Sequence, residues 1–204
     1  MRASVPQRYP GATIICVASG PSLCRADVVD TVSFPTIAVN DAYRLMPFAT
    51  VLFGGDAQWW AWHPTALAMS VPKYTLHASP PAPVLRLERT GQDGLEMEPT
   101  GLRSGGHSGY AAANLAFHLV GPTGTIVLLG YDMQAPAMGP AHFFGDHPDG
   151  SRPRFVEWIP KYLALYEALT ALGVTVWNCS RETAIPSIPR KALREALPCS
   201  TFKH

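Results

Sequence analysis

Apolar residues in this chain gather in short unbroken runs, each closed by glycine or a small polar residue. The runs Ile14–Ala18, Pro35–Asn40, Thr50–Asp56, Thr125–Gly130 and Val174–Asn178 have the length of strands. Their lack of alternation predicts strands covered on both faces, as in a parallel sheet. Between them the period changes. Residues 23–32 predict a short helix, and Ser108–Leu119 predict a longer one. Alanines 111, 112, 113 and 116 let that second helix lie close to a sheet, and Gly121-Pro122 stops it. From Arg154 to Leu172 large apolar residues recur at three- and four-residue steps, which predicts an amphipathic helix kinked or opened by Pro160. A last short helix is expected around 190–197, in a loop-rich tail running to His204. Residues 63–105 hold only two brief apolar runs, 73–76 and 84–87, among prolines and glycines. They predict an irregular insertion of small strands and loops, able to cover a site as a lid. The alternation of strand and helix predicts one α/β domain over 1–204, with a doubly wound, mostly parallel sheet.

In open parallel sheets ligands sit beyond the carboxyl ends of the strands. Here those ends carry polar groups. The first strand breaks into Ser19-Gly20-Pro21-Ser22, a strand-to-helix turn whose backbone N–H groups could hold a phosphate. The second ends in Asn40-Asp41, the third in Gly54-Gly55-Asp56, and the strongest in Gly130-Tyr131-Asp132. Ser104-Gly-Gly-His-Ser-Gly-Tyr110 opens the alanine-rich helix, which makes Ser108 and Gly109 a second candidate phosphate-binding helix start. The tryptophans of Trp59-Trp60-Ala-Trp62 cannot share one helical side, so some pack inside while one can line a pocket. Two histidines, His142 and His147, flank an aspartate in Ala141-His-Phe-Phe-Gly-Asp-His147. They lack the spacing of a helix-borne metal pair and no thiolate lies near, so a general base is the better expectation.

The composition, 47% hydrophobic and 15% charged, is that of a compact globular protein, and a net charge of +1 offers no case for nucleic acid or an anionic membrane. No run of about 18 apolar residues predicts a membrane span. The four cysteines, at 16, 24, 179 and 199, form no CxxC pair, which with the lack of a signal-like N-terminus predicts reduced thiols in a cytoplasmic protein.

Taken in order, Ala18-Ser-Gly-Pro-Ser-Leu23, Val39-Asn-Asp41, Ser108-Gly109, Leu129-Gly-Tyr-Asp132 and the 141–147 segment resemble the motif series of the bacterial lipooligosaccharide sialyltransferases. They also resemble the related domain that includes archaeal 6-hydroxymethyl-dihydropterin diphosphokinase. The similarity spans about residues 13–188. It implies a Rossmann-like nucleotide-binding domain, with metal-independent glycosyl transfer in one branch. Carried over, Ser19, Gly20, Ser22, Asn40 and Ser108 would contact the nucleotide. On the reading of the residues themselves, Pro21, Gly109, Asp41, Asp56 and Tyr131 join them as candidate binding residues. The base would be His142 or His147; Asp132 is a further candidate catalytic residue. Asp146 adds one residue to the family's spacing before His147. The sialyltransferases also place tyrosines after the Gly-x-Asp strand, where this chain has Gln134-Ala-Pro-Ala.

The expected partners are a nucleotide-activated small molecule, CMP-linked or otherwise, and a hydroxyl acceptor, with no permanently bound cofactor. One alternative is a diphosphokinase using Mg²⁺ held by Asp41, Asp56 and Asp132. A second is a non-catalytic nucleotide-binding protein that keeps the cleft.

Overall fold

The computed structural model describes residues 3–136 and 138–198; Cys199 and the end of the tail lie outside them. Five of its strands follow the runs that the apolar pattern picks out: β1 (Thr13–Val17), β2 (Thr36–Val39), β3 (Val51–Phe53), β8 (Thr125–Leu129) and β9 (Thr175–Asn178). Together with β4 (Lys73–Thr75) and β5 (Leu85–Arg86) they make one seven-stranded sheet in the order β5-β4-β3-β2-β1-β8-β9. Every pairing in it is parallel. This is an α/β fold of the Rossmann-like kind, with helices on both faces.

Both faces of the strands are buried, which explains the unbroken apolar runs. Ile14, Cys16, Ile37, Val39, Val51, Phe53, Ile126 and Leu128 point to one side, where α3 (Ser108–Val120) and α5 (Lys161–Ala171) pack. Ile15, Val17, Ala38, Leu52, Val127 and Leu129 point to the other. There they meet Val28 of α1 (Arg25–Val29), Trp59 and Trp60 of α2 (Ala57–Trp62) and Ala196 of α6 (Leu193–Ala196). Helix α3 is buried from Gly109 to Val120, as its small residues require, and ends at Gly121 with φ 70°. Pro160 divides the predicted amphipathic helix into α4 (Phe155–Trp158) and α5.

The segment 63–105 departs from expectation. Its two short runs are not an insertion: β4 and β5 extend the main sheet, with Tyr74 paired to both Phe53 and Leu85. At three and two residues they are too short to show a period. Only β6 (Glu88–Gly91) and β7 (Gly101–Arg103) stand apart, as a separate parallel ribbon. No helix among the described residues is long and apolar enough to cross a membrane.

Strand β1 is where the winding reverses. The chain runs outward through β2 to β5 on one side of it, then returns through α3 to place β8 against its other edge. The helices that follow β1 and β8, α1 and α5, therefore pack on opposite faces of the sheet, and the crevice at such a switch point is where ligands of these sheets sit.

Candidate functional site

A cavity of about 540 Å³ fills that crevice. Its walls are the loop after β1 (Ser19, Gly20, Pro21), Asn40, the start of α2 (Asp56–Trp59) with Trp62, the entry to α3 (Gly106–Gly109), and the loop after β8. That last loop brings His142, His147, Asp149 and Arg152, and leads to Phe155 and Trp158. The lid expected from 63–105 contributes nothing to this lining; residues 133–134 and 141–153 take that position instead.

The first loop is braced rather than open. The Gly20 N–H donates to the Gly130 carbonyl at 2.8 Å, and the Ser22 N–H donates to Asp132 Oδ2 at 2.7 Å. Pro21 has no N–H. The Gly20 and Ser22 amides, expected to cradle a phosphate, are thus already bonded, and Ser19, Gly20 and Pro21 line the cavity. The phosphate expectation passes to α3. The amides of Ser108, Gly109 and Tyr110 make no hydrogen bond to any described residue, and the N-cap His107 supplies no side-chain cap. At the positive end of a 13-residue helix these groups face the cavity from Ser108 and Gly109. Gly55 keeps that approach open, since a Cβ there would lie 2.6 Å from Ser108 Oγ.

Two carboxylates placed at the site by sequence turn inward. Asp132 is buried, holds Ser22, and is pushed above the usual carboxylate range, chiefly by burial. Asp41 is also buried. It accepts from Trp59 Nε1 at 2.9 Å and from Arg44 at 3.3 Å, and lies 3.4 Å from His63 Nε2. Asp56 does border the cavity, but its Oδ1 caps α2 by accepting from the Trp59 N–H at 2.8 Å. Asp41, Asp56 and Asp132 therefore do not converge, and as a set they do not fit a magnesium site. No group of three or more histidines, cysteines or carboxylates among the described residues is placed to hold a metal ion. Tyr131 is buried too, donating to the Gly109 carbonyl at 2.9 Å, so it supports the α3 entry from behind.

The residues of this wall include a set of unsatisfied polar atoms. Buried polar side-chain atoms in folded proteins almost always find a partner. Here Asn40 Oδ1, His142 Nε2 and Trp158 Nε1 are buried without one, and all three residues line this cavity. Asn40 holds a left-handed backbone, φ 49°, a conformation that asparagine tolerates better than most residues. His142 stacks on Phe144 with ring centres 5.0 Å apart, and burial, aided by the nearby His147, lowers it to about 4. His147 lies 4.7 Å from the His142 ring and stacks on Trp62 at 6.2 Å.

His107 and Trp158 were not singled out by sequence. They stack at 4.8 Å, and His107 Nε2 lies 3.3 Å from the Tyr162 hydroxyl. Burial, with Lys161 adding to it, lowers His107 to about 3. The folded protein thus keeps this ring neutral where the unfolded chain protonates it. Below pH 6.5 the unfolded state binds the extra proton, so stability falls with pH until about pH 3, by up to about 1.4 kcal/mol per pH unit. Urea unfolding between pH 7 and 4 should show a shallower pH dependence for His107→Phe than for the wild type. Superimposable curves would mean that His107 carries no such penalty.

No family model matches the chain, and neither a curated protein nor a solved structure matches it.

Proposed function

We propose that the protein is a transferase acting on a nucleotide-activated donor, most simply a glycosyltransferase. The observation that carries this is a cavity at the sheet's switch point whose lining includes three residues with unpartnered polar atoms, Asn40, His142 and Trp158. The free amides at the start of α3 take the donor's phosphate. The aromatic wall of Trp62, Phe155 and Trp158 suits a planar base, and Asn40 binds ribose or donor sugar. The acceptor's hydroxyl oxygen forms a bond to the sugar's anomeric carbon. The bond from that carbon to the phosphate oxygen breaks, and the nucleotide leaves with the electron pair. The hydroxyl proton passes to a histidine. His147 is the better base of the pair, because an imidazole held near 4 is a weak one at neutral pH. His142 then binds ligand through its free Nε2.

A thermal-shift screen of CMP, CDP, UDP, GDP, ADP and ATP, with and without Mg²⁺, tests this. A nucleotide at 100 times its dissociation constant should add about 2.7 kcal/mol. Stabilisation without metal is the expected result. Stabilisation by ATP only with Mg²⁺ would favour the diphosphokinase, and a flat screen would remove the nucleotide assignment altogether.

A further inference from the structure

A second cavity, of about 460 Å³, meets the first at Asp56, Gly106, His107, Ser108 and Trp158. Its character differs. Three cationic side chains line it, each from a different part of the chain: Arg89 of β6, Arg154 just before α4, and Lys161 at the start of α5. Arg154 is matched by Glu157 at 3.2 Å. Arg89 has no carboxylate partner among the described residues. Lys161, whose side chain is only 23% exposed, reaches Gln92 Oε1 at 3.3 Å and Asp93 at 3.6 Å. Asp93 is itself 58% exposed and does not line the cavity. Ser104 adds a hydroxyl, itself held on Gln92 at 3.3 Å. Of the two carboxylates in the lining, Glu157 is matched by Arg154 and Asp56 is engaged in capping α2.

Cations gathered from separate elements around a concavity repel one another, an anion bound between them offsets that repulsion, and charge-assisted hydrogen bonds to an oxyanion are the strong kind. We infer that this cavity is the acceptor subsite, and that the acceptor carries an oxyanion, carboxylate or phosphate, held by Arg89 and Lys161. The inference rests on the transferase assignment above. The shared border is what makes the two sites one reaction centre: an acceptor anchored by its anion reaches the donor past His107 and Trp158. The neutral His107 leaves that passage without a competing positive charge.

Calorimetric titration of inorganic phosphate and of malonate into the wild type and an Arg89→Gln/Lys161→Gln variant tests it, each with and without the stabilising nucleotide. Neither side chain belongs to the core, so the variant should fold and keep its nucleotide-induced thermal shift. We expect at least one anion to bind the wild type and to bind the variant ten-fold or more weakly. A response to phosphate alone, or to malonate alone, names the oxyanion. If neither anion binds the wild type, or the variant binds them equally well, the subsite is overturned. Loss of anion binding in the variant alongside a flat nucleotide screen would keep the oxyanion site and remove the transferase assignment instead.

Discussion

Alanine at position 20 should destabilise the protein by about 3 kcal/mol, the upper range for overpacking, although it adds only one carbon. That carbon would lie 2.2 Å from Asp132 Oδ1, 2.4 Å from Asp132 Cγ and 2.6 Å from the Gly130 carbonyl oxygen. None of these can retreat easily. Asp132 is pinned through Ser22, and the Gly130 carbonyl already accepts the Gly20 N–H. Relief would have to come from parting the loops that leave β1 and β8, which are the walls of the crevice. Nucleotide binding should therefore weaken along with stability. Asp132→Ala in the same chain removes two of the three clashes and should restore part of the loss, but not all, because the backbone oxygen remains. Urea denaturation of the two single variants and the double variant measures this coupling. A Gly20→Ala protein within about 0.5 kcal/mol of wild type, the scatter of ordinary surface changes, would show that the loops are not locked in this way.

The second large effect belongs to His147. With the donor found by the nucleotide screen, His147→Ala should lower kcat about 10²–10⁴-fold, the usual contribution of a positioned general base. The nucleotide-induced thermal shift should survive. His142→Ala should behave differently and raise KM more than it lowers kcat if its unpartnered Nε2 binds ligand as proposed. Single-turnover consumption of the donor separates the two. Wild-type turnover in both variants would end the assignment of either ring as base.

The pattern of apolar runs located the strands because a parallel sheet covered on both faces writes itself into sequence as unbroken hydrophobicity. Gly121 and Pro160 were equally readable, since each acts through its own backbone. Other features depend on direction, which spacing does not carry. Asp41 and Asp132 stand at strand ends as a ligand site would require, yet each turns inward, one to Trp59 Nε1 and the other to the Ser22 amide. The Gly-Pro-Ser loop reads as a phosphate cradle, but its Gly20 and Ser22 amides are claimed by Gly130 and Asp132, in a loop more than a hundred residues later. His107, Trp158 and Tyr162 form an aromatic cluster only because the chain between β8 and α5 returns over the entry to α3. Strands β4 and β5 failed for a simpler reason, being too short to repeat anything.

The pairing of β1 with β8 joins Thr13 to Thr125 and Val17 to Leu129. It is the seam between two wings of the sheet made by different stretches of the chain. Closing so long a loop is entropically costly and is made good only by contacts formed once it is shut. The crevice has one wall on each wing, so a half-assembled chain has no binding site at all. Ligand binding thus reports completion of assembly, and a small molecule that fits the crevice would act on this protein as a folding chaperone.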